Sequence, residues 1–546
     1  MRSTLLRASI VCALLSCAPL ASATTFDLSS ATIADVQAAM DKGALSSEKL
    51  TKLYLARIKA YDKQGPAINT VITLNPKALE QARALDKERK AKGPRSPLHG
   101  VPIVLKDNYD TFDLPTTAGS QLLEGSIPPD DAYVVKKLRD AGAIILAKVN
   151  LSEFAGGGGS VGGAKDPEIL KQGAVPNGSS SMGLQTLNPH DLTRGPAGSS
   201  GGTGASIAAD FAQFGLGTDT GGSVRGPSAA NGIVGLKPTH GLMSRDGIVP
   251  LALTIDTGGP MARSVYDIAV ALGVMTGVDP ADAATEKSAG KFDKDYTKYL
   301  KTDALKGARI GVARDFMGRD PETDKIIEAA IATLKEQGAV VTDYVKYPEY
   351  LLQGRQGLST LIMASEFKSQ IADYLKTTGP QYPKTFDDLV QRANDPQTHY
   401  RSPPKAFALK YTASVALDLN DPIYLAARDQ GLALTRAMID ALFTDYKLDA
   451  IVYPTSPRPA TLIKPASPPT PTGSDSATSI ANQTGYPDLI VPAGMTKDGL
   501  PVTLSFFGQA FTEGKLLGYG YDFEQATQAR VLPKFTPALT ADKFTY

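Results

Sequence analysis

A chain of 546 residues, 42% apolar and 21% charged, can bury a large core and is too apolar for an intrinsically disordered protein. Its net charge of +1 shows no basic excess of the kind that grips a phosphate backbone, which excludes nucleic acid as an expected partner. The opening segment reads as a secretory leader: Arg2 and Arg7 give a positive start, Ala8–Leu15 an apolar run too short to span a bilayer, and Ala21-Ser22-Ala23 a cleavage site. The mature chain, residues 24–546, would then begin at Thr24 and be periplasmic or secreted. Both cysteines, Cys12 and Cys17, would leave with the leader, and lipid anchoring at Cys17 is the minor alternative. No later stretch is long or apolar enough for a transmembrane helix.

Beyond the leader, Ile33, Val36, Ala39 and Met40 recur at helical spacing after Thr32, and Ser46–Tyr61 repeats the pattern. Ala78–Lys92 is a third, highly charged helix that stops at Gly93-Pro94. The short apolar run Ile103-Val104-Leu105 reads as a buried strand with Lys106 at its end. Val134–Ala141 is predicted as a helix and Ala143–Ala147 as a strand. Gly156–Gly163 is nearly all glycine, and the segment through Gly178 reads as an inserted loop, either a lid over a site or a plain surface insertion. Ala308–Arg314, Pro321–Gln337 and Ala339–Val345 spell strand, helix and strand of a parallel sheet. Glu349 to about Leu442 is predominantly helical with proline breaks. Leu448–Val452 returns as a strand, a proline-rich loop follows, and Ser479–Pro487, Leu489–Pro492 and Leu500–Phe507 complete the sheet before a last helix.

The chemistry concentrates in Gly195–Gly241, where Ser199 sits in GSSGG and Ser223 in DTGGSVRG. Thr220-Gly221-Gly222-Ser223 offers consecutive backbone N–H groups, unshielded by bulky side chains, to a developing oxyanion, with Ser223 as the attached nucleophile. A serine hydroxyl needs a base. His99, His190, His240 and His399 all lie outside the glycine clusters, which weakens a Ser-His-Asp arrangement and leaves Lys106, provided burial lowers its pKa. Asp219 and Arg225 flank Ser223 and are expected to pair and stiffen its loop. Gly158–Gly162 and Gly198–Gly202 also fit G-x-S-x-G, but glycine runs produce such matches readily. There is no H-E-x-x-H, no Cys/His ligand set and no P-loop, so no metal or other cofactor is expected.

Together with GVPIVLKDN at Gly100–Asn108, this stretch closely resembles the amidase signature family of serine hydrolases over most of the chain. The resemblance implies a single large α/β domain with a mixed, mostly parallel central sheet covered by helices. Its signature core covers about 70–310, a helical variable region near the substrate pocket about 349–442, and the C-terminal return to the sheet 448–546. It also implies a Ser-Ser-Lys triad: Lys106 as base, Ser199 as the bridging serine on a cis Gly198–Ser199 peptide, and Ser223 as nucleophile. Ser181–Pro189 resembles a structural loop of the family, and Ala155 falls where relatives contact substrate through the backbone. The expected function is an exported amidase acting on a small-molecule or peptide amide, nearer in character to peptide amidases and broad bacterial amidases than to the subunit supplying ammonia for glutaminyl-tRNA synthesis. The alternatives are an esterase or lactamase on the same triad, or a catalytically silent binding protein, against which the presence of all three triad residues counts.

Overall fold

The computed structural model describes residues 24–158, 167–463 and 476–546. The expected leader with Cys12 and Cys17, the middle of the glycine-rich insertion and part of the proline-rich loop lie outside the described residues. Fifteen strands form among those described: β1 (Thr25–Asp27), β2 (Val71–Leu74), β3 (Pro102–Lys106), β4 (Ile144–Val149), β5 (Ser179–Ser180), β6 (Leu184–Gln185), β7 (Phe214–Asp219), β8 (Val234–Lys237), β9 (Thr257–Ala262), β10 (Arg309–Val312), β11 (Val340–Thr342), β12 (Ala450–Pro454), β13 (Asp488–Met495), β14 (Pro501–Phe507) and β15 (Lys543–Thr545). Eleven make one sheet in the order β11-β10-β12-β14-β13-β8-β9-β7-β3-β4-β2.

The sheet is mixed, but it is not mostly parallel. Parallel pairing holds for β10 with β11 and β12, and for β3 with β4 and β7. The other six neighbour pairs are antiparallel. One of these six is a hairpin: β13 and β14 are joined by a tight turn through Gly499 at φ 76°, and such a turn reverses the chain. Ser479–Pro487, expected to help complete the sheet, contributes no strand. Thr478–Thr484 is a helix ended by Gly485 in the left-handed region. All of its residues but Thr478 are buried, so no amphipathic period announces it.

Other elements follow the sequence closely. Thr32 caps Ile33–Asp41 with a reciprocal box through Asp35, and Ser46 caps Ser47–Tyr61. Strands β3, β4 and β7 are buried on both faces, which is why β3 and β4 run largely apolar without alternation. The helical region begins with Glu349–Leu375, whose Phe367 ring meets Phe154 at 5.8 Å and Phe386 at 5.8 Å. That packing sets the variable helices directly on the segment containing Ala155.

Helix Gly201–Ala208 lies tightly against the end of β4. Gly202 donates its N–H to the Asn150 carbonyl at 2.9 Å, and a Cβ on Gly202 would lie 2.2 Å from that same oxygen. Gly202→Ala is therefore expected to destabilise the fold by about 3 kcal/mol. Urea denaturation checks this, and an unchanged midpoint would contradict the contact.

Candidate active site

Lys106 ends β3 and Asp219 ends its parallel neighbour β7, so both emerge at the same carboxyl edge of the sheet, where α/β sheets hold ligands. Lys106 is fully buried. Its Nζ lies 2.7 Å from Ser199 Oγ, 2.7 Å from Thr218 Oγ1 and 3.4 Å from the Thr218 carbonyl. These partners are neutral oxygens, which do not compensate the lost hydration of an ammonium ion. Burial accordingly lowers Lys106 to about 7, against the opposing pull of Asp219 and Asp256. The amine is thus poised between its neutral and charged forms near neutral pH.

The Gly198–Ser199 peptide is cis. The Ser199 carbonyl accepts from the Ser152 N–H at 2.9 Å, and the next amide, Ser200 N–H, donates to the Ser223 carbonyl at 3.1 Å. That bond ties the loop carrying Ser199 to the turn carrying Ser223. Ser223 itself remains partly exposed. Gly222 before it has φ 129°, and a Cβ there would meet Thr478 Oγ1 at 2.7 Å, so the turn requires glycine.

Four amides were candidates to face an oxyanion. Gly222 N–H is already held by Asp219 Oδ1 at 2.8 Å, which removes it from that set. The N–H groups of Thr220, Gly221 and Ser223 have no partner among the described residues and remain available. Asp219 also accepts from Val224 N–H at 2.9 Å and forms a two-point pair with Arg225 at 2.9 and 3.0 Å. Burial pushes the Asp219 carboxyl up, but the Arg225 guanidinium outweighs it and holds the group well below the usual carboxylate range. Arg225 reaches onward to Asp488 at 2.8 Å and to Asn482 at 2.5 Å, and Tyr453 hydrogen-bonds the Asp488 carboxylate. The expected stiffening pair is therefore part of a buried network.

Asp219→Ala would leave Arg225 buried with one fewer anion and release three backbone N–H groups. The expected cost is about 3–5 kcal/mol in denaturant unfolding. A cost below about 1 kcal/mol would show that the network does not hold the turn.

Ala155 and Phe154 adopt φ of 55° and 53°, a sharp bend beside the site. Lys405, from the helix Pro403–Val415, donates to the Glu153 carbonyl at 3.0 Å and to the Gly157 carbonyl, while Tyr400 hydrogen-bonds the Glu153 carboxylate. Ala155 lines a small cavity together with Asn108, Thr218 and Thr220, so it borders the ends of β3 and β7. The described end of the glycine-rich insertion also touches this region, since Gly178 N–H donates to Ser152 Oγ at 2.9 Å. Within Ser181–Pro189 the bonds run into the scaffold: Ser181 N–H to Glu153 Oε2 at 2.7 Å and Asn188 Nδ2 to the Ala230 carbonyl at 2.7 Å.

The histidines are occupied elsewhere. His99, His190 and His240 hydrogen-bond the carbonyls of Leu85, Asn231 and Leu253, and His399 sits at a left-handed helix end. Three contributors escape sequence reasoning. Thr218 and Asn108, which hydrogen-bond each other at 3.1 Å beside Lys106, lie inside the two recognised stretches, but nothing in the sequence assigned either a role. Asn482, which donates to Asp219 Oδ1 at 3.0 Å, comes from a distant helix with no local signal.

Fold and site together define the class, an α/β enzyme of the hydrolase type. A family model described as Amidase matches residues 49–517, and the chain belongs to that family. It is a hydrolase of amide carbon–nitrogen bonds. It is 36% identical to a probable amidase of Arabidopsis thaliana over 94% of this chain and 93% of that one. It is also 36% identical to a glutamyl-tRNA(Gln) amidotransferase subunit of Thermoanaerobacter pseudethanolicus, over 93% of this chain and 99% of the other. Among solved structures, the native peptide amidase of Stenotrophomonas maltophilia superposes with a TM-score of 0.80 at 38% identity, covering 93% of this chain and 99% of that one.

Proposed function

We propose that this amidase cleaves its substrate through an acyl-enzyme on Ser223, with Ser199 and Lys106 as the proton relay. The observation that supports the reading is the buried contact of 2.7 Å between Lys106 Nζ and Ser199 Oγ, with an amine lowered to about 7. In the first half-reaction Ser223 Oγ attacks the amide carbon while its proton passes to Ser199 and the Ser199 proton to the Lys106 lone pair. The free amides of Thr220, Gly221 and Ser223 hold the oxyanion. The carbon–nitrogen bond then breaks as the proton returns through Ser199 to the leaving nitrogen, releasing ammonia or an amine. Water repeats the relay, breaks the acyl–Oγ bond and frees the carboxylate.

The Ala155 bend is proposed to contact substrate through its backbone, backed by Lys405. Lys405→Met is expected to raise KM several-fold while kcat changes less, because it loosens a wall and leaves the relay in place. Equal losses in both parameters would place Lys405 in the chemistry.

Export is part of the proposal and rests on the leader-like Met1–Ala23. N-terminal sequencing of protein recovered from the periplasm or medium should begin at Thr24. The substrate class is tested by ammonia release from C-terminal peptide amides, aryl amides and fatty amides, beside carboxylate and alcohol release from the matching esters. The 38% identity to a peptide amidase favours the peptide amides. Turnover of the esters alone would replace the amide reading with that of an esterase.

A further inference from the structure

A cleft of about 670 Å³ opens beside the helix Leu432–Asp445, the turn after Thr484 and the segment at Ala510–Phe511. Asn482 stands between it and the reaction centre: it lines the cleft, and its amide group donates to Asp219.

Two cations in this cleft have no carboxylate partner among the described residues. Lys287 Nζ lies 2.7 Å from His240 Nδ1, and Arg436 Nε donates to the Thr484 carbonyl at 3.2 Å. Burial and then Arg245 push His240 well below its ordinary value, so the ring is a neutral acceptor for the ammonium group. Nearby acids are already engaged: Asp282 takes Arg245 at 2.8 and 2.5 Å, and Asp429 takes Arg428 at 2.6 and 2.8 Å. Lys287 is exposed as a residue, yet its amine is lowered to about 8, by burial first and then by the Arg245 and Arg436 guanidinium groups. Cations that repel one another across a concave surface leave a positive potential that an anion would satisfy.

Lone surface cations are commonplace. What separates these two is the wall beside them, which is apolar at Leu432, Ala433, Ala510 and Phe511. A concave site with a few convergent charges on an apolar wall suits an organic ligand. Inorganic phosphate would occupy a small part of the volume and leave that wall wet.

We propose that this cleft binds an organic anion, a carboxylate carried on an apolar body, with the carboxylate between Lys287 and Arg436 and the body against Leu432 and Phe511. Calorimetric titration of the full chain with 3-phenylpropionate at constant ionic strength tests it, with inorganic phosphate titrated in parallel. The wild-type protein should show one saturable site, with phosphate about tenfold weaker or worse. The double variant Lys287→Met, Arg436→Gln should lose about tenfold or more in affinity, because both charge-assisted contacts go. Its turnover of a small amide should stay at the wild-type rate, which reports an intact fold. Absence of saturable binding, equal affinity for phosphate, or unchanged affinity in the double variant would overturn the proposal.

Discussion

Ser223→Ala is expected to lower kcat by about 10⁵ to 10⁶, because removing the nucleophile of a unit that acts together costs nearly as much as removing the whole unit. The variant should also lose covalent labelling by a fluorophosphonate. Its fold should be intact, since Ser223 is partly exposed and the turn is held by Asp219 through the Gly222 and Val224 amides. Circular dichroism and denaturant unfolding provide the check on folding. Retained turnover would move the nucleophile to another residue.

Lys106→Met carries the second large effect, an expected loss of about 10³ to 10⁴ in kcat/KM at pH 8 as general base catalysis is removed. In the wild type, the rate should rise with pH through about 7, as the amine becomes neutral. That limb should vanish in the variant, so the ratio between the two enzymes should shrink as pH falls below 7. The same shift has a signed effect on stability. The Lys106 amine moves from 10.5 down to about 7 on folding, so the unfolded chain binds more protons throughout that window. The contribution of Lys106 to stability therefore rises as pH increases from 7 to 10.5, and its cost is complete below 7. Urea unfolding at pH 7 and pH 9.5 should show the wild type gaining on Lys106→Met at the higher pH. A difference that does not change with pH would mean that the amine keeps its ordinary value.

The residues proposed to react stand out in the sequence because their signals are local. Ser199, Ser223, Asp219 and Arg225 sit in one glycine-rich stretch, and Lys106 ends an apolar run that the fold buries on both faces. The contacts among them were legible only by resemblance, since Lys106 and Ser199 are 93 residues apart. Burial of a lysine is itself nearly invisible in sequence: Lys148, Lys237 and Lys405 are as buried as Lys106, and Lys237 is also lowered to about 7, by burial and then Arg225. What distinguishes Lys106 is its neighbour, a serine hydroxyl rather than the carboxylate that Lys148 meets at 3.1 Å in Asp107.

Sheet direction was not legible, because most of the antiparallel neighbours, such as β13 with β8 and β12 with β14, are not joined by a short turn. Asp498-Gly499 was the overlooked signal for the reversal between β13 and β14. The fate of the Gly222 amide was equally hidden. The strip of bare main chain suggested four donors of equal standing, but the carboxylate that stiffens the loop takes one of them for itself.

The proposed mechanism depends most on an uncharged amine at position 106. Nitrogen-15 NMR of labelled lysine side chains, titrated from pH 5 to 10, measures that charge, and the signal missing from Lys106→Met identifies the residue. The mechanism predicts a resonance that titrates near pH 7 and moves when Ser199 is replaced by alanine. A Lys106 signal that stays protonated up to about pH 10 would contradict it.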